Sequence, residues 1–128
     1  MSTDAERAKV AGYPKGAVVV QGTSAVITTT TAVPIIAAPA AGVSTYITKL
    51  HVCNKTAGET PVLTFQDDTG TPIVFMYVAP GDPAVAGGGE KTYDFGPAGL
   101  KVTAAKSFDA EATTTTGDCY ATAFGYQL

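Results

Sequence analysis

The residues with chemistry to offer are few. His51 is the single histidine, Cys53 follows two positions later, and Cys119 is the other cysteine. A histidine can act as general base for a cysteine or serine nucleophile, but a third group must orient it and an oxyanion site must receive the developing charge. Cys53 and His51 share a strand face, yet no oxyanion loop signature accompanies them. Ser24, Ser44 and Ser107 fall in turns or at strand ends, without a nucleophile-elbow sequence. Zinc would need ligands beyond these, and the spacing matches no common structural zinc pattern.

The other candidates are turn chemistry. Asp67 and Asp68 open a DDTG stretch in which Asp bonds its own backbone and Gly takes positive φ, as a hairpin requires. Its carboxylates are too few for a strong calcium loop. Gly87 to Gly89 lack the following lysine and helix start of a phosphate cradle. The expectation is therefore a non-enzymatic protein with no catalytic residue, no cofactor and no metal.

The elements that would carry these residues read as strands. A chain of 128 residues suits one domain, and an apolar share of 45% against 15% charged, with no Trp and long Thr runs, favours β structure over helix. A net charge of −3 provides no basic stripe, so nucleic acid is not an expected partner. No stretch has the length and apolarity to cross a bilayer, and the N-terminus lacks a signal-peptide core, which makes folding in a cytoplasm with reduced thiols the expectation.

Along the chain, residues 1–16 read as an arm and 17–128 as a β-sandwich domain. Arg7, Lys9, Tyr13 and Lys15 are the arm side chains suited to a partner surface. Strands are predicted over Ala25–Thr31, Thr45–Asn54, Pro61–Gln66, Pro72–Ala79, Lys91–Phe95, Leu100–Lys106, Ala110–Thr115 and Asp118–Tyr126, with apolar runs at Ala17–Gln21 and Val33–Ala38, turns at Gly22–Ser24, Asn54–Thr60 and Asp67–Thr71 and a loop over 80–89. In Thr45–Asn54, alternation puts Tyr46, Leu50 and Val52 on one face and Lys49 and His51 on the other. The run from Ile73 to Ala79 is apolar throughout, which requires cover on both faces from a second sheet or another subunit. Val18, Val19 and Val20 either complete the protomer's own sheet or add a strand to a neighbour, and are the candidate oligomer interface. About eight short strands separated by turns indicate a sandwich or barrel. Of Tyr77, Tyr93, Phe95, Phe108, Tyr120, Phe124 and Tyr126, alternation turns most inward.

Several segments together, YITKLHVCNKTAG, the DDTG turn, an aromatic strand closing on APG, and the final CYATAFGYQ, resemble the small jelly-roll structural proteins of tailed bacteriophages, the capsid decoration or cement proteins above all. The resemblance covers roughly residues 25 to 127. It implies an all-β fold, a single jelly-roll-like antiparallel β-sandwich with an extended N-terminal arm. It further implies a homotrimer on the capsid surface of the virion, assembled in the host cytoplasm, with the major capsid protein as partner and no membrane. A phage tail or fibre accessory protein and a carbohydrate-binding module are the alternatives. In jelly-roll topology the strands holding Cys53 and Cys119 are neighbours. If Tyr46 faces Tyr126, then Cys53 faces Cys119 as a possible thiol pair, with packed free thiols the default in a reducing compartment.

Overall fold

The computed structural model describes residues 13–27, 31–55, 62–77, 89–112 and 119–128. Nine strands follow in order: β1 (Val18–Thr23), β2 (Val33–Ile36), β3 (Thr45–Asn54), β4 (Val62–Asp67), β5 (Pro72–Tyr77), β6 (Glu90–Asp94), β7 (Leu100–Lys101), β8 (Phe108–Ala112) and β9 (Cys119–Gln127). Among the described residues no helix is long and apolar enough to cross a membrane.

The strands form two antiparallel sheets. Sheet A runs β1-β9-β3-β6, with β7 also on β3, and sheet B runs β2-β8-β4-β5. β6 pairs with Lys49–Cys53 and β7 with Tyr46–Ile47, so the two act as one strand interrupted by a turn. Counted that way, the eight strands take the order of a jelly roll, with the chain passing repeatedly from one sheet to the other. The all-β, jelly-roll-like sandwich expected from the sequence is thus the fold observed.

Alternation explains the core. Leu63 and Phe65 of β4, Phe108 and Ala110 of β8, and Ala121 and Ala123 of β9 all point between the sheets and are buried. Phe65 and Phe108 stack at 5.7 Å between ring centroids. Small alanines on β9 leave room for these rings, which is how a sandwich without Trp fills its interior.

Several boundaries differ from expectation, each for a physical reason. Gly22 to Ser24 does not turn: Gly22 and Thr23 continue pairing with β9. A Cβ at Gly22 would lie 1.9 Å from the Ile35 carbonyl oxygen, so glycine is what lets β1 pass against β2. The strand expected over Ala25–Thr31 reduces to one bridge, Ile27 to Cys119, with 28–30 outside the described residues. The strand expected to reach Lys106 ends at Lys101. Val102 and Ala105 there donate their amides to Thr45 and Val43, and Ala105 takes a φ of 61°, which turns the chain toward β8. β8 begins at Phe108 rather than Ala110, and 113–118 lie outside the described residues.

Candidate interaction surfaces

The local feature that arranges the outer face of sheet A is a β-bulge at Thr48. Tyr46 pairs with Tyr126 and Ile47 with Gly125, after which the register slips by one, so that Lys49 meets Phe124, Cys53 meets Tyr120 and Asn54 meets Cys119. An extra residue in one strand flips every later side chain to the opposite face relative to the earlier ones. Thr45 and Ile47 point inward before the bulge, and Leu50, Val52 and Asn54 point inward after it. Tyr46 therefore does not share a face with Leu50 and Val52, contrary to the unbroken alternation read from the sequence.

The same slip corrects the thiol pairing. Cys53 does not face Cys119: Cys119 is buried in the core, while Cys53 is half-buried on the outer face, and no disulfide joins them. Denied a shared face, the two sulfurs cannot meet without a slide of the register. A thiol reagent applied to the native protein is expected to modify Cys53 alone, with Cys119 reacting only after unfolding. Equal labelling of both under native conditions would refute this register.

His51 shares the outer face with Cys53, as expected. Its Nδ1 lies 2.8 Å from Thr92 Oγ1 and its Nε2 3.8 Å from Glu90. Because Cys119 points into the core, the three soft ligands do not converge. The serines serve the backbone: Ser24 Oγ accepts the Ala121 amide at 3.0 Å, Ser107 Oγ donates to Asp109 at 2.7 Å, and Ser44 exchanges backbone hydrogen bonds with Leu128. Among the described residues no group of three or more His, Cys, Asp or Glu side chains is placed to hold a metal ion.

Asp67 performs the turn role expected of it and more. Its Oδ1 accepts the Thr69 amide, the Thr69 hydroxyl and the Thr71 amide, and its Oδ2 accepts the Thr103 hydroxyl at 2.8 Å, which ties the β4–β5 hairpin to the segment after β7. Burial alone would raise this carboxyl. The hydrogen bonds outweigh it and hold the pKa at about 2.

The aromatic side chains need correction. Tyr120, Phe124 and Tyr126 lie on the outer face of sheet A rather than inward, because the inward positions of β9 are Cys119, Ala121, Ala123 and Gly125. Tyr46 stacks on Tyr126 at 4.9 Å, and Tyr126 donates its hydroxyl to the Ala98 carbonyl at 2.9 Å. Phe108 is in the core, and Tyr93 and Phe95 pack at its margin. Tyr77 lies in β5, its side chain outside the described residues.

The arm's root sits on this aromatic cluster. Tyr13 packs on Tyr126 at 4.7 Å, and the Tyr13 and Thr48 hydroxyls are 2.7 Å apart, with Thr48 also donating to the Phe124 carbonyl. Tyr13 is thereby engaged by its own domain, whereas Lys15 is exposed. Arg7 and Lys9 lie outside the described residues. Val18, Val19 and Val20 form the first half of β1 and complete the protomer's own sheet against β9, at its edge. Val20 packs on the core, Val19 joins the tyrosine cluster, and Val18 is exposed. Beside the arm root a groove of about 590 Å³ is lined by Tyr13, Thr48, Lys49, Asp94, Pro97 and Phe124.

Two antiparallel sheets in a jelly-roll strand order, with Tyr13 packed on one outer face, make the described residues a jelly-roll-like β-sandwich. No protein-family model matches it, and no curated protein matches it. Among solved structures it is similar to a chain of the cyanophage Pam1 capsid asymmetric unit, with 19% identity, 88% of this chain and 85% of that chain covered, and a TM-score of 0.49. A chain of infectious bursal disease virus, Gt strain, shows 12% identity over 90% of this chain and 26% of that chain, with a TM-score of 0.19. Likenesses this loose carry no functional argument.

Proposed function

We propose that the protein is a virion structural protein of a tailed phage, a capsid decoration protein that binds the major capsid protein shell and stabilises it without catalysis. The observation that carries this reading is the arm root. Tyr13 is clamped by Tyr126 and Thr48 on the outer face of sheet A, and the sequence before it carries Arg7 and Lys9, which lie outside the described residues. A jelly-roll sandwich with a charged N-terminal segment that begins at the Tyr13 clamp is suited to contacting neighbouring subunits. A protein that binds only the assembled shell shifts the equilibrium toward assembly by mass action. The sequence resemblance points the same way, and a homotrimer is part of the proposal.

The test is fractionation of particles from the producing host. The protein is expected in stoichiometric amounts on heads, and purified protein added to undecorated shells is expected to raise their melting temperature. Deleting residues 1–12, which spares the Tyr13 clamp, is expected to abolish shell binding while leaving the fold's stability unchanged. Recovery with tails instead of heads would identify a tail or fibre accessory protein, and particles lacking the protein would overturn the virion reading.

A further inference from the structure

Charge is divided unevenly between the sheets. Among the described residues, the strands of sheet B contain no Lys or Arg and carry Asp67, Asp109 and Glu111, while the strand lysines Lys49, Lys91 and Lys101 all belong to sheet A, beside Glu90 and Asp94. Burial pushes the Asp109 carboxyl up, and the charges of Asp68 and Asp67 push it the same way.

Sheet B also presents an uncovered apolar side chain. Phe75 on its edge strand β5 is 62% exposed and pairs with Thr64, which pairs in turn with Glu111. Phe75, Thr64 and Glu111 therefore form one row across the outer face. The buried Thr64 hydroxyl in that row has no hydrogen-bond partner. The apolar run of β5 demanded cover on both faces, and its own second sheet covers one.

Sheet A offers the complement. The groove beside the arm root has apolar walls from Phe124, Pro97 and Tyr13, and exposed Lys49 and its cross-strand neighbour Asp94 stand at its border, with the Asp94 carboxylate accepting the Gly96 amide. An exposed aromatic knob with Glu111 in its row on one face, and an apolar groove on the other whose Asp94 is engaged by the Gly96 amide while Lys49 stands exposed, suit a second copy of the same chain.

We propose that copies of this protein associate head-to-tail, the Phe75 knob and Glu111 of sheet B in one copy seating in the groove and against Lys49 of sheet A in the next. Such a contact joins two different surfaces, so it generates a closed ring when its rotation closes. It does not depend on where in a virion the protein is found.

Light scattering of the full chain at low salt tests this. The wild type is expected to run heavier than a monomer, and its mass to fall as salt screens the contact. Phe75→Arg is expected to weaken self-association by about 30-fold, as loss of a central anchor does. Glu111→Lys and Lys49→Glu are each expected to weaken it, and the double variant to recover it. A monomeric wild type, an unchanged mass for Phe75→Arg, or a double variant that fails to recover would each overturn the proposal. Urea unfolding of every variant guards against misfolding, and shell binding is scored separately, so failure of this contact and failure of the decoration reading are distinguishable.

Discussion

Replacing Gly125 with Ala is expected to cost about 3 to 4 kcal/mol, the largest single-residue effect in the molecule outside the core rings. Gly125 lies on β9 opposite Ile47, immediately before the bulge. A Cβ there would fall 1.9 Å from the Tyr46 carbonyl oxygen, 2.9 Å from its carbon and 3.2 Å from Ile47 Cα. All three are backbone atoms, so no side-chain rotation relieves the overlap. β3 and β9 must separate, and with them the Tyr46–Tyr126 stack and the support beneath Tyr13. The urea midpoint of Gly125→Ala measures this. A change within about 0.5 kcal/mol, the range of an ordinary surface substitution, would show that the strands part freely there.

Asp67→Ala is expected to destabilise by about 3 kcal/mol, since it orphans two backbone amides and two hydroxyls around a buried position. Asp67→Asn is expected to cost less, because its amide oxygen can still accept while its charge is gone. The sign of the pH effect follows from the depressed pKa. The folded carboxyl titrates near 2 against an ordinary 3.8, so its stabilisation is complete above about pH 4 and is lost as the pH falls toward 2. Asp109 works oppositely: its raised pKa means that the folded state holds its proton more tightly, and stability from this group declines as pH rises through the window above 3.8. Comparing acid unfolding of wild type with Asp67→Asn isolates the first contribution. The variant is expected to lose the steep decline between about pH 4 and 2, and an unchanged acid limb would show that Asp67 is not the group responsible.

Much of the fold was legible along the chain. The Thr45–Asn54 strand has the observed bounds, Leu63 and Phe65 share the inner face, and DDTG makes the hairpin. These features depend on local properties: side-chain alternation with period two, and the ability of Asp to bond its own backbone. Turn signals failed where a glycine served a neighbouring strand instead, as Gly22 does beneath Ile35.

The outer surface of sheet A was the part that could not be read this way. Nothing in YITKLHVCN announces that Thr48 is an extra residue; the strand looks continuous, and its bulge arises from pairing with β9, which lies some seventy positions away. That one slip moved Tyr46 outward and parted Cys53 from Cys119. The small inward residues of β9 likewise turned Tyr120, Phe124 and Tyr126 out, and Tyr126 into the cluster that holds Tyr13. The sequence by itself determined the Thr45–Asn54 strand, the inward face of β4 and the DDTG turn, because those depend on near neighbours. Tertiary structure decided the register, the faces and the joining of Tyr13, Thr48 and Tyr126, because a shift of one residue between distant strands reverses every face after it at little local cost.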